Sequence, residues 1–182
     1  MHNRLRETTR AVHERLHRHP GFAAVLNRTI ELPAYRALLS RLLGFHLAFE
    51  EAADITPERS HWLKADLQAL GVDEGQVANL PRCFNVPNLE TSSRSLGARY
   101  VIEGSALGGR VLALRLDSLL GPGALDGRRF FLGSGDDGRT WRSVLVSIAA
   151  VQADEAARRQ VVAAAVETFN ALEMWLTDWE GN

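Results

Sequence analysis

Apolar residues along this chain recur at helical spacing. Leu5, Val12 and Leu16 mark one side of a segment spanning residues 3–18, the signature of a half-buried helix. Pro20-Gly21 is expected to stop it, with a short helix at 22–26. Pro33 suits the first turn of a long helix to about Ala53, along which Tyr35, Leu38, Leu39, Leu42, Phe45 and Phe49 fall at helical intervals. Pro57 breaks the chain. Ser60 is placed to cap a helix that runs to Leu70 and closes at Gly71. Residues 72–90 read as short pieces punctuated by Pro81 and Pro87. A further helix is predicted from about Ser92 to Leu120, ended by Gly121-Pro122-Gly123. Residues 123–138 read as one long irregular stretch, 140–151 as a helix, and Asp154 as the cap of a last helix to about Trp179. With no hairpin signal, no strand alternation and no repeat, the expectation is an all-α chain. It would form one domain over residues 1–182, with seven or eight helices.

The helix at the centre of this plan is unusual. Leu96 to Leu116 is proline-free and apolar, yet contains Gly97, Gly104, Gly108 and Gly109. A glycine in a helix interior costs about 1 kcal/mol relative to alanine, so four of them need a reason. Gly97, Gly104 and Gly108 are spaced to share a face, with Ser105 and Gly109 beside them. A bare face admits either a close-packed neighbouring helix or a flat ligand, and Gly and Ser are also where helices bend. Spacing alone leaves both readings open. Gly104 and Gly108 spell the G-x-x-x-G of membrane dimers, but Arg99, Glu103, Arg110 and Arg115 argue against a membrane span.

Composition narrows the classes. Of 182 residues 46% are hydrophobic, enough for a real core. The 21 basic and 22 acidic residues nearly cancel, which argues against nucleic acid as a general partner. A single cysteine, Cys83, excludes an internal disulfide and suits a reducing compartment. Residues 1–20 are charged throughout and do not form a secretory signal. No apolar run reaches membrane-spanning length, so the expectation is a cytoplasmic protein without a membrane partner.

Several motifs carry candidate chemistry. His13-Glu14-Arg15-Leu16-His17 is a formal H-E-x-x-H, which in zinc hydrolases puts two imidazoles and a base on one helix. Its third histidine is absent, Pro20 and Ala23 standing in those places, and Arg15 would bring a cation into the site. Arg6, Arg10, His13 and His17 share one helical face, a solvated basic surface unless a ligand uses it. Gly133-Ser134-Gly135-Asp136-Asp137-Gly138 spells G-x-G-x-x-G, but no strand precedes it and its aspartates would repel a pyrophosphate, so it reads as a flexible turn. His46 and Glu50 lack the partner carboxylates of a di-iron site and are expected at a helix surface or edge.

Tyr100-Val101-Ile102-Glu103-Gly104-Ser105-Ala106-Leu107-Gly108-Gly109 resembles the distal helix of heme oxygenases, closest to the bacterial kind found with bacteriophytochromes. Leu5-Arg6-Glu7-Thr8-Thr9-Arg10-Ala11-Val12-His13 resembles their first helix, and further likeness covers nearly the whole chain: Tyr35-Arg36-Ala37-Leu38-Leu39 with Gly44-Phe45, the run from Leu63 to Gly71, Leu80-Pro81-Arg82-Cys83, Trp141-Arg142-Ser143 and Thr168-Phe169-Asn170. The resemblance implies that heme is both substrate and cofactor, with His13 as the iron ligand. Arg6, Arg10, Tyr100, Arg142 and Phe169 would contact the heme. Gly104, Ser105, Gly108 and Gly109 would cover its opposite face, where oxygen needs room. Arg6 lies two turns before His13, roughly 10 Å away, which suits a cation at a propionate. His17 stands where many relatives carry Glu, Ala48-Phe49 where they carry Pro-Leu, and Ser105 where animal relatives use Asp. The implied reaction turns heme into biliverdin, carbon monoxide and iron. An external reductase would supply the electrons, and a bacteriophytochrome is the suggested recipient of biliverdin. A non-catalytic heme carrier or sensor of the same fold and, far behind it, the zinc hydrolase are the alternatives.

Overall fold

The computed structural model describes residues 1–151 and 153–177. They form ten helices and no strand: α1 (His2–His17), α2 (Pro20–Leu26), α3 (Leu32–Ala52), α4 (Glu58–Ala69), α5 (Glu74–Ala78), α6 (Ser92–Arg115), α7 (Asp117–Leu120), α8 (Arg129–Leu132), α9 (Asp137–Ala150) and α10 (Glu155–Thr177). The all-α expectation holds. The count exceeds it because the connections contain short helices of their own. Trp179, the expected end of the last helix, lies outside the described residues.

Helix α6 is the centre of the packing. It lies mainly against α10 and also meets α9, α8 and α2. α1 packs on α10 as well, so α10 carries both α1 and α6. α3 carries the most deeply buried residues, with Tyr35, Leu38, Leu39, Leu43 and Phe45 fully enclosed. Helical periodicity is the cause: these positions project to one side of α3, toward α4 and α10.

Helix ends follow local chemistry in part. Thr91 caps α6 by accepting from the Arg94 N–H at 3.2 Å, and Asp154 accepts from the Ala157 N–H at 3.0 Å, the expected cap of α10. Pro20 opens α2 rather than merely ending α1, its missing N–H being an orphan donor there anyway. Two other ends rely on residues distant in sequence. α4 begins at Glu58, before Ser60, and the buried Glu50 carboxylate accepts from the N–H groups of Arg59 at 2.8 Å and Ser60 at 3.3 Å. Glu50 and His46 are therefore interior residues, 3% and 5% exposed, and not surface or edge ones. Burial, with the Arg59 cation nearby, pushes the His46 pKa down to about 3, so its imidazole is neutral.

The stretch 123–138 is pinned rather than loose. Asp66 accepts from the N–H groups of Arg129 at 2.7 Å and Phe130 at 2.9 Å, which starts α8. Tyr35 donates its hydroxyl to the Gly127 carbonyl at 2.7 Å. Buried Arg128 ties the end of α6 to α7 by donating to the Ala113 and Gly121 carbonyls and to Asp117. The G-x-G-x-x-G segment leads directly into α9. Its Asp137 is buried and accepts from Arg110 at 3.1 Å, which anchors the end of the segment to α6.

Candidate functional site

The face of α1 beside its buried Leu5, Val12 and Leu16 exposes Arg6, Arg10, His13 and His17, as the spacing predicts. The four are differently engaged. Arg10 pairs with Glu14 at 3.8 Å. His13 and His17 bring their Nε2 atoms to 3.3 Å. The His13 ring also meets the edge of Phe169 on α10, with centroids 6.0 Å apart and planes at 90°. Phe169 is itself buried, so it serves the core and flanks His13 together. Desolvation against α10 lowers the His13 pKa and the neighbouring His17 lowers it further, against a smaller upward pull from Glu14. These effects favour the neutral imidazole, whose Nε2 is in contact with that of His17. Arg15 does not enter this site. It turns to Glu173 on α10 through two hydrogen bonds of 2.6 and 2.8 Å.

The glycine face of α6 divides in two. A Cβ built at Gly97 would stand 2.2 Å from the Val161 carbonyl oxygen, so this glycine exists for the α6–α10 crossing. Gly109 is buried against the Phe131 backbone, its Cβ position 3.0 Å from that carbonyl. Gly104 faces the Trp141 ring at 3.2 Å. Gly108 alone of the four is open, with no atom within 4 Å of a Cβ placed there. Ser105 is exposed one residue from Gly104 and donates its hydroxyl to the Ile102 carbonyl at 2.9 Å, which leaves oxygen lone pairs free to accept.

Tyr100 links α6 to α1. It is buried beside Thr9 and Arg6. Burial raises its pKa, while the Thr9 hydrogen bond and the Arg6 charge pull the other way. Its ring packs on Trp141 at 5.2 Å, and His2 lies edge-on to both at 6.0 and 6.1 Å. Arg142 follows on exposed α9, its Nε donating to the Gly138 carbonyl at 3.2 Å. Sequence reasoning named Tyr100 and Arg142 as candidate site residues but did not name His2 or Trp141, which pack on Tyr100. The aromatic side chain next to Arg142 was the available signal for Trp141. Nothing marked His2. A separate cleft of about 100 Å3 lies between α3, α4, α6 and α9, where Arg59 and Glu103 form a largely shielded ion pair of 2.7 Å.

This donor set fits heme on chemical grounds. A neutral exposed imidazole can ligate iron, arginines on α1 and α9 can pair with propionates, and a buried aromatic edge beside His13 suits a porphyrin. The open backbone at Gly108 leaves room where a side chain would fill it. Trp141 confines that room to the Gly108 end of the glycine segment.

Among the described residues the protein is all-helical, with an exposed imidazole and arginines on α1 and an open stretch of helix backbone at Gly108 on α6. The heme oxygenase family profile matches residues 1–178, and the chain belongs to that family, which degrades heme. No curated relative matches it significantly.

Proposed function

We propose that this chain is a heme oxygenase of the type that produces biliverdin, carbon monoxide and free iron, acting as one domain in the cytoplasm with electrons from a separate reductase. A bacteriophytochrome apoprotein is the proposed recipient of biliverdin. The observation that carries the reading is His13. It is an exposed, neutral imidazole on α1, flanked by Phe169, in a chain matched to the family over residues 1–178.

When bound, heme supplies the iron at which dioxygen is reduced and the macrocycle that is opened. The chain's own residues supply the rest. His13 would hold the iron through Nε2. Arg6 and Arg142 hold the propionates by charge-assisted hydrogen bonds and so fix the rotation of the ring. Tyr100, beside Arg6, closes one edge of the slot. Gly108 would keep bulky side chains off a heme face, and Gly104 and Gly109 would keep the α6 backbone close by. No general base projects from the glycine segment. Ser105 can instead hold an ordered water with its free lone pairs, and that water passes protons.

A heme titration of the purified chain tests this directly. A Soret band with histidine-ligated iron, followed by biliverdin formation on adding reductant and oxygen, is expected. Heme binding without biliverdin would make the chain a carrier. Absence of any heme complex would end the proposal.

A further inference from the structure

His13 and His17 face each other more closely than heme ligation requires. Their Nε2 atoms are 3.3 Å apart, both residues are exposed, and they stand one turn apart on α1. Two imidazole nitrogens bound to one tetrahedral Zn2+ at about 2.0–2.1 Å stand roughly 3.3–3.4 Å apart by simple trigonometry. Adjacent positions of a square-planar ion would require about 2.9 Å. The separation therefore matches tetrahedral coordination.

We propose that His13 and His17 form a two-histidine site for a tetrahedral divalent cation of the zinc type, and that occupation of this site excludes heme from His13. Both nitrogens coordinate as neutral donors, so the proton between the rings moves to Nδ1 or to solvent. No third protein ligand completes a closed site, since no cluster of three or more candidate ligands occurs among the described residues. The remaining positions are water. Glu14 pairs with Arg10, and Arg15 turns to Glu173 on α10. This is a chelate and not the catalytic centre that H-E-x-x-H denotes in hydrolases. Its consequence is control of loading, because the one Nε2 of His13 cannot serve zinc and heme iron together. The exclusion rests on the heme reading, whereas the cation site does not.

The test uses the full chain in two separate arms. Calorimetric titration with Zn2+ alone is expected to show one site, weakened by more than about tenfold in both His13→Ala and His17→Ala. That scale is already reached when groups that merely support a metal ligand are lost. Equal zinc affinity in the wild type and both variants would overturn the site and leave the pair a simple hydrogen-bonded contact. In the second arm, Soret titrations with and without saturating Zn2+ are expected to show weaker heme binding with zinc in the wild type, and much less zinc effect in His17→Ala, which keeps His13. A zinc effect equal in the two proteins would overturn the exclusion. Failure of heme to bind without zinc would instead sink the heme reading, and the first arm would still stand or fall alone.

Discussion

At the scale of single residues, desolvation gives two histidines opposite tasks. His13 is partly shielded against α10 yet exposed toward solvent, where a ligand can replace its contact with His17 Nε2. Its replacement by alanine should remove the axial nitrogen, and with it most biliverdin formation, while heme still enters the slot weakly. The heme absorption spectrum of the variant checks this, and an unchanged spectrum with unchanged turnover would show that the ligand is elsewhere. His46 is fully enclosed by Phe45, Phe130 and the Arg59 cation, with no hydrogen-bond partner for Nδ1. Its folded pKa of about 3 lies below the ordinary value of 6.5. Above pH 6.5 both the folded and unfolded chains carry it neutral. As pH falls from there toward 3, only the unfolded chain gains the proton, and stability is lost by about 1.4 kcal/mol per pH unit. Asp66 opposes this. Burial raises its carboxyl to about 6, so between roughly pH 4 and 6 it favours the folded state as pH falls. The difference between the wild type and His46→Phe isolates the histidine. Melting at pH 7.5 and 5.5 should show the variant losing less stability than the wild type, and equal losses would refute the assignment.

At the scale of elements, α6 separates packing from function along one helix. Gly97 and Gly108 look alike in sequence, but one meets the Val161 carbonyl and the other meets nothing. Gly97→Ala should therefore destabilise by about 1–3 kcal/mol, as overpacking does. Gly108→Leu should leave stability unchanged or raise it by up to about 1 kcal/mol, because leucine is the better helix former and has space. The same Gly108→Leu change should abolish biliverdin formation while the ferric heme complex still forms through His13. Thermal melting beside biliverdin yield decides the matter. A Gly108→Leu protein that turns over at the wild-type rate would remove α6 from the reaction. The α6 result also shows what sequence can reveal. Periodicity placed α1, α3, α6, α9 and α10, because their apolar spacing is set by local geometry. The divided glycine face was not legible, since it depends on which helix crosses at each turn. The caps that Glu50 gives α4 and Asp66 gives α8 were not legible either. Both join residues 9 or more positions apart, so no local motif records them.

At the scale of the whole molecule, the proposed ligand would bridge α1, α6 and α9, of which α9 already packs on α6 and touches α1, while α10 carries both α1 and α6. α1 brings His13 and Arg6, α6 brings Tyr100 and Gly108, and α9 brings Trp141 and Arg142. Sequence resemblance named all of these but Trp141, and the fold brings their helices together, α10 carrying α1 and α6 and α9 packing on α6. A ligand bridging three elements should stabilise all of them together. At free heme about 100 times its dissociation constant, the stabilisation is about 2.7 kcal/mol. For a chain of this size each kcal/mol moves the melting temperature by about 2–4 °C, so a rise of several degrees is expected. Arg6 and Arg142 are exposed, and Arg142 donates only within its own helix. Arg6→Glu and Arg142→Glu should accordingly leave the heme-free melting temperature almost unchanged, as surface substitutions do within about 0.5 kcal/mol. Each should shrink the rise caused by heme at fixed heme concentration, because an arginine–propionate contact becomes a repulsion. Each should also loosen the rotation of the ring, so that the biliverdin formed becomes a mixture of isomers. Chromatography of the product and melting with and without heme measure the two effects on the same samples. If both variants keep the full heme-induced rise and a single unchanged isomer, the propionates lie away from α1 and α9, and the slot proposed between α1, α6 and α9 is in the wrong place.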